Sequence, residues 1–196
     1  MDVSPVTLQG NTIFIEPLNE SHAQGLYDIG QVADDWLYMP RPCFQSVEDT
    51  LSWIAEAQQL AAEKTHISFV IRRKADQKIL GSTRFLNIRC RDRSLEIGYT
   101  WLGKEAQRTQ VNTEAKLLLL GHAFETLKAI RVELKTDARN LRSQQAITRL
   151  GAKREGVFRK HMIVQNGYIR DSVYFSIIDD EWAVVKTRLQ QLLSSP

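Results

Sequence analysis

Cysteine is nearly absent. Cys43 and Cys90 are the only two in 196 residues, one beside a proline turn and one in a predicted strand, with no metal or redox spacing between them. Both read as free thiols. Histidine is scarce as well: His22, His66, His122 and His161 are scattered, with no acid at ligand spacing, so no metal site is expected. Long apolar runs, a charged-then-apolar leader and lipidation signals are all missing, so nothing points to a membrane or to secretion, and a cytoplasmic protein is expected. Internal repeats and low-complexity segments are missing too.

Neither sign of charge dominates. A net charge of +3 does not by itself argue for nucleic acid, and no direct nucleic-acid partner is expected, but residues 1–98 hold 10 Lys+Arg against 13 Asp+Glu while residues 99–196 hold 16 against 10. In the basic half, Arg108, Arg139, Arg142, Arg149 and Lys153 stand near predicted helix ends and turns, not in one run. That distribution suits a small polyanionic ligand better than a duplex backbone; the alternative is a solvated surface of mixed sign. With 43% hydrophobic residues the chain can bury one core, so residues 1–196 read as a single domain, with a core of about 12–178 and an added C-terminal helix of about 179–194.

What is present centres on one stretch. Leu95, Ile97, Tyr99 and Trp101 alternate with Glu96, Gly98 and Thr100, the period-2 pattern of a strand with one packed face, and Gly103 ends it. From Val111, the apolar positions Ala115, Leu118, Leu119 and Ala123 take helical spacing, with Glu114 in the first turn where a negative charge suits the helix dipole. Between them, Gln107-Arg108-Thr109-Gln110-Val111-Asn112 forms a loop whose backbone N–H groups converge at a helix N-terminus, a geometry that binds phosphate. An ordinary strand-loop-helix connection is the other reading.

Around this stretch, residues 1–10 read as a lead-in and 12–16 as a strand ended by Pro17. A helix capped by Asn19 or Ser21 follows to Ile29. Residues 36–44, aromatic but broken by Pro40 and Pro42, read either as a loop tucked over the core or as one wall of an acceptor pocket. A helix from Ser46 to about Glu63 carries Ser46 and Asp49 in capping-box spacing, with Val47, Leu51, Ile54 and Leu60 inward. Strands over 67–72 and 79–91 lead into the Glu96 strand. Beyond the Val111 helix come a strand over 131–136, a helix from about Asn140 to Leu150 with Gly151 at its C-terminal cap, and a hairpin turning at Asn166-Gly167. The last helix opens at Asp179-Asp180, with Trp182, Val185, Leu189 and Leu192 on one stripe. Hairpin and helix add apolar surface at one end of the domain, which suggests a homodimer; the alternative is that both cover the sheet.

This order, together with Glu96-Ile97-Gly98-Tyr99, the Gln107–Ala115 turn and helix start, Asn140-Leu141-Arg142-Ser143 with Leu150-Gly151, and Gly156-Val157 with Arg159-Lys160, resembles the GCN5-related N-acetyltransferases (GNAT). Within them it is most similar to the RimJ/RimL-like branch of ribosomal-protein N-terminal acetyltransferases. The resemblance implies an α/β fold of α+β type: a central, mixed, twisted sheet of about seven mostly antiparallel strands with helices on both faces. It also implies acetyl-CoA as co-substrate, an amine acceptor, and transfer of acetyl to a primary amine in a ternary complex. The strand of Glu96 and that of Arg131 would splay apart around the pantetheine arm, held at Trp101 and Leu102, with the phosphates on Gln107, Arg108, Thr109, Gln110, Val111, Asn112 and Thr113.

The family's phosphate turn has the form Gln/Arg-x-x-Gly-x-Gly/Ala. Here Gln107 fits, but Gln110 and Asn112 replace the small residues that allow close backbone approach and positive φ. Glu96 reads as a general base acting through water, or as a carboxylate on the solvated side of its strand. Asn140 reads as a cofactor contact or only a helix N-cap. Ser143 turns inward and is the nearest proton donor for the leaving thiolate, because the tyrosine that the wider family carries four residues further on is Ile147. Competing expectations are a CoA-binding or interaction module that has lost turnover, and an acyltransferase using another acyl-CoA such as succinyl-CoA. The acceptor stays open between a protein N-terminus and a small-molecule amine.

Overall fold

A computed structural model describes residues 1–194. Among them, eight strands form one sheet in the order β1-β2-β3-β4-β5-β6-β8-β7: β1 Leu8–Gln9, β2 Ile13–Pro17, β3 Ile67–Arg73, β4 Ile79–Arg89, β5 Ser94–Leu102, β6 Arg131–Asp137, β7 Lys153–Ile163 and β8 Ile169–Ile178. All neighbours are antiparallel except β5 and β6. The mixed, mostly antiparallel sheet agrees with expectation. The additional strand is β1, whose two residues pair with Phe14 and Ile15 of β2 and are too few to carry an alternation signal.

Helices α1 Ala23–Ile29, α2 Ala33–Trp36 and α3 Val47–Ala62 cover one side; α4 Val111–Gly121, α5 Leu141–Leu150 and α6 Asp179–Ser194 cover the other. Ser46 caps α3, its Oγ accepting the Asp49 N–H at 3.1 Å. The Asp49 carboxylate turns instead to Arg41 Nη2 (2.7 Å) and the Gln45 N–H (3.0 Å). The inward stripe of α3 is Thr50, Trp53, Ile54 and Ala57, the helical period counted from Trp53. Leu51 lies about 100° off that stripe and is exposed.

Two cores result. The larger joins Leu95 and Ile97 to α4, α5 and α6; the smaller is aromatic and joins Trp36, Phe44, Trp53 and Trp101. The single packed face expected for Leu95 through Trp101 is therefore wrong. Tyr99 has φ +50° and the β4–β5 register shifts there, so the strand inverts and Trp101 enters the opposite core, 4.9 Å from the Trp36 ring. Residues 36–44 begin inside α2 and then run as a loop, burying Trp36 and Phe44.

The hairpin turns as expected: Asn166 and Gly167 both have positive φ, and Gln165 O accepts the Tyr168 N–H at 3.2 Å. Gly151 caps α5 at φ +108°, where a Cβ would also meet Val185 Cγ2 at 3.2 Å. Trp182, Val185 and Leu189 bury themselves against the larger core, so the stripe of α6 covers the chain's own interior. The edge strand β7 keeps Val157, Phe158 and Ile163 exposed.

Trp182 stacks on Phe124 at 5.4 Å and donates Nε1–H to Glu125 at 2.8 Å. Trp182→Ala is expected to lower the unfolding free energy by about 3–5 kcal/mol in urea titrations. A loss below about 1 kcal/mol would mean that α6 is not docked as described.

Candidate active site

The parallel ladder between β5 and β6 is three residues long, Ser94–Glu96 against Arg131–Glu133. Beyond Glu96, β5 follows β4 while β6 follows β8. Backbone strands that part leave a gap, here a cavity of about 920 Å³. Gly98 sits at the parting: a Cβ there would meet Glu96 Oε1 at 2.9 Å and Leu86 Cδ2 at 3.0 Å.

At one end of the gap stands the N-terminus of α4. Its first helical hydrogen bond is Glu114 N–H to Gln110 O at 2.9 Å, so the Asn112 and Thr113 N–H groups have no intrahelical acceptor. Val111 N–H is taken by Thr109 Oγ1 (3.2 Å), which itself donates to Ala106 O (2.8 Å). Positive φ falls on Arg108 (+60°), while Gln110 has φ −73°. The turn thus asks for no glycine conformation at Gln110, and the departure from the family's pattern costs the backbone nothing there. Arg108, Arg142 and Arg149 line this end, a cationic setting for an anion at a helix N-terminus.

Nine of the residues expected at the site line the cavity: Glu96, Trp101, Leu102, Gln107, Arg108, Thr109, Asn112, Asn140 and Ser143. Gln110, Val111 and Thr113 do not; Thr113 is buried and its Oγ1 accepts from Arg149 Nη2 at 3.1 Å. Gln107 ties the wall together, donating Nε2–H to Leu102 O and Asp35 Oδ1, both at 2.9 Å. Asn140 is the N-cap of α5, its Oδ1 accepting the Ser143 N–H at 3.0 Å.

Glu96 is not on a solvated face. It is 1% exposed, and its Oε2 accepts from Lys135 Nζ and Asn87 Nδ2, each at 2.8 Å. The bulge explains this, because the face opposite Leu95 and Ile97 closes over the gap before the strand inverts. Asn87 and Lys135 had no sequence signal, since their pairing with Glu96 spans 9 and 39 residues.

Other lining residues also escaped the sequence reading. Tyr174 Oη lies 3.2 Å from His161 Nε2, and His161 Nδ1 lies 3.0 Å from Ser172 Oγ. Burial pushes the Tyr174 phenol up to about 12 and the His161 imidazole below its usual value. Tyr38, Met39 and Pro40 line the gap, so residues 36–44 both cover the aromatic core and wall the cavity. The hairpin tip holds that loop: Gln165 Nε2 lies 2.7–2.8 Å from the carbonyls of Trp36, Met39 and Arg41.

Lys116 is the most unusual lining residue. It is 4% exposed, and its Nζ donates to Thr100 Oγ1 at 2.6 Å, which in turn lies 2.8 Å from Thr83 Oγ1. Desolvation alone lowers its amine to about 7. Among the described residues, no cluster of three or more His, Cys, Asp or Glu could hold a metal ion, and no helix is long and apolar enough to cross a membrane.

Lys116 gives stability a pH slope. The folded chain holds its proton only below about 7, whereas an unfolded lysine keeps it to about 10.4. Between these values the unfolded state binds more protons, so stability rises with pH. Lys116→Met should therefore stabilise the protein most near pH 6, by a few kcal/mol, and progressively less towards pH 10. Equal gains at pH 6 and pH 9 in chemical denaturation would show that this amine does not titrate in that window.

The family described as Acetyltransferase (GNAT) domain matches residues 12–153. The probable N-acetyltransferase YjcK of Bacillus subtilis is 30% identical over 181 residues, covering 89% of this chain and 99% of that protein. A GCN5-related N-acetyltransferase from Brucella melitensis has a similar structure, with TM-score 0.92 at 26% identity, over 98% of this chain and 87% of that one. Mycobacterium smegmatis RimJ in complex with CoA-disulfide shares the fold, with TM-score 0.80 at 21% identity, over 96% and 95% of the two chains. The chain belongs to the GNAT family of acetyltransferases.

Proposed function

We propose that this protein moves an acetyl group from acetyl-CoA directly to a primary amine, both substrates being held together in the gap between β5 and β6. The observation that carries this reading is the parting of those strands beside a cationic helix N-terminus. The pyrophosphate would lie on the Asn112 and Thr113 N–H groups beside Arg108, Arg142 and Arg149, with pantetheine running along Trp101 and Leu102. Neither cysteine lines the cavity, which favours direct attack over an acyl-cysteine intermediate. A small-molecule amine and a protein N-terminus are both acceptors that this gap can serve.

A thioester is already activated, so the protein's task is alignment and proton handling. The amine lone pair attacks the thioester carbon, the C–S bond breaks, the nitrogen loses a proton and the thiolate gains one. Glu96, which lines the gap, receives the nitrogen's proton through water, its Oε2 being held by Lys135 and Asn87. Ser143 or Lys116 returns a proton to sulfur.

Incubation with acetyl-CoA and a mixture of primary amines should give amine-stimulated thiol release; tight acetyl-CoA binding without such release would sink the proposal. Asn112→Pro removes one donor at a first-turn position where proline is tolerated. It should weaken acetyl-CoA binding about tenfold by calorimetry, while Asn112→Ala should not; unchanged affinity in the folded proline variant would put the phosphate site elsewhere. Ser143→Ala should lower kcat by about 10²-fold, the low end for general acid catalysis, with acetyl-CoA affinity unchanged. A variant as fast as wild type would leave Lys116 or solvent as the proton source.

A further inference from the structure

An amine pocket is expected to be lined by acids, because the acceptor arrives as an ammonium ion. The charges beyond Glu96 do not follow that rule. Lys135 is paired with Glu96 at 2.8 Å, and Arg139 with Asp137 at 2.8 and 3.0 Å. That leaves Arg170. It stands at the start of β8, opposite Met162 of β7, lines the same cavity and is 6% exposed. Its Nε has no hydrogen-bond partner among the described residues. The two acids that act on it most strongly, Asp137 and Glu96, are those already bonded to Arg139 and Lys135. Burying a guanidinium without a contacting carboxylate is costly, and its planar fork matches a carboxylate in two parallel hydrogen bonds.

We infer that Arg170 binds a carboxylate of the acceptor, so that the substrate is an amine carrying an acid group in the same molecule. This rests on the acetyl-transfer reading above and deepens it. Arg170 on β8 and Glu96 on β5, the strand where the acetyl group would be presented, stand on either side of β6 in the sheet and line the same cavity. An amine at Glu96 and an acid at Arg170 satisfy both ends of one short molecule. Such an acceptor is either a free amino acid or a peptide N-terminus with an acidic first side chain. A polyamine would place a second ammonium beside the arginine, and a simple alkylamine would leave the arginine unneutralised.

The test is a panel of matched acceptors with acetyl-CoA: glutamate and its diamide, peptides beginning with Asp or Asn and with Glu or Gln, and a polyamine. Wild type should prefer the acid of each pair by at least about tenfold in kcat/KM. Preference among the free amino acids or among the peptides identifies the source of the carboxylate. Arg170→Met should raise KM for the preferred acid at least tenfold, leave its neutral partner unaffected, and keep acetyl-CoA affinity by calorimetry. Arg170→Lys should restore part of the loss, which a merely structural role would not predict. Amine-stimulated turnover that ignores the carboxylate, or that favours the polyamine, overturns this inference and leaves acetyl transfer standing. Absence of turnover with every acceptor overturns acetyl transfer and the inference with it. Because the wild-type panel needs no substitution, misfolding of either variant would not rescue the idea.

Discussion

Most of what this molecule can do depends on where β5 stops pairing with β6. A parallel ladder extended past Glu96 and Glu133 would close the sheet and abolish the cavity. It ends because β5 takes a left-handed residue at Tyr99, inverts, and sends Trp101 into the aromatic core. That core in turn fixes the strand: Trp101 lies 4.9 Å from Trp36 and 5.8 Å from Phe44, so straightening the bulge would expose a large aromatic side chain to water. The gap is thus maintained by packing on the far side of the sheet from α4 and α5.

The same inversion sets the electrostatics. Residues facing away from the larger core before the bulge would be solvent-facing in a regular strand; here Glu96 is enclosed and needs a partner, which Lys135 supplies from the neighbouring strand. Arg139 and Asp137 repeat the arrangement further along β6. Lys135 and Arg139 are thus matched by acids, whereas Arg170 has no carboxylate in contact among the described residues.

Periodicity made the elements legible: α3 begins beside Ser46, α5 lies between Asn140 and Gly151, and Asn166-Gly167 turns as its residue types require. A single left-handed residue was not legible, because Tyr99 has no composition that announces positive φ. Missing it placed Trp101 on the wrong face and left Glu96 apparently solvated. The phosphate turn failed in the opposite direction. The strain attributed to Gln110 lies at Arg108, since family spacing marks which residues are usual but not which one carries the left-handed conformation. Long-range pairs such as Lys135 with Glu96, or Gln165 with the carbonyls of residues 36–41, leave no trace in local sequence.

Ile147 in place of the family's tyrosine poses the question of what protonates the departing thiolate. A serine hydroxyl at Ser143 is a weak acid and can only relay a proton from water. Lys116, on the wall contributed by α4, is different in kind: burial that disfavours its charged form also makes the ammonium a far stronger acid than an ordinary lysine, near neutrality. Retaining such an amine opposes folding below pH 7, and a methionine of similar length would fill the space without that penalty. Its hydrogen bond to Thr100, and from there to Thr83, fixes the amine beside the strand along which pantetheine would run. A destabilising group held in one orientation inside the gap is a perturbed titratable residue of the kind that clusters at functional sites.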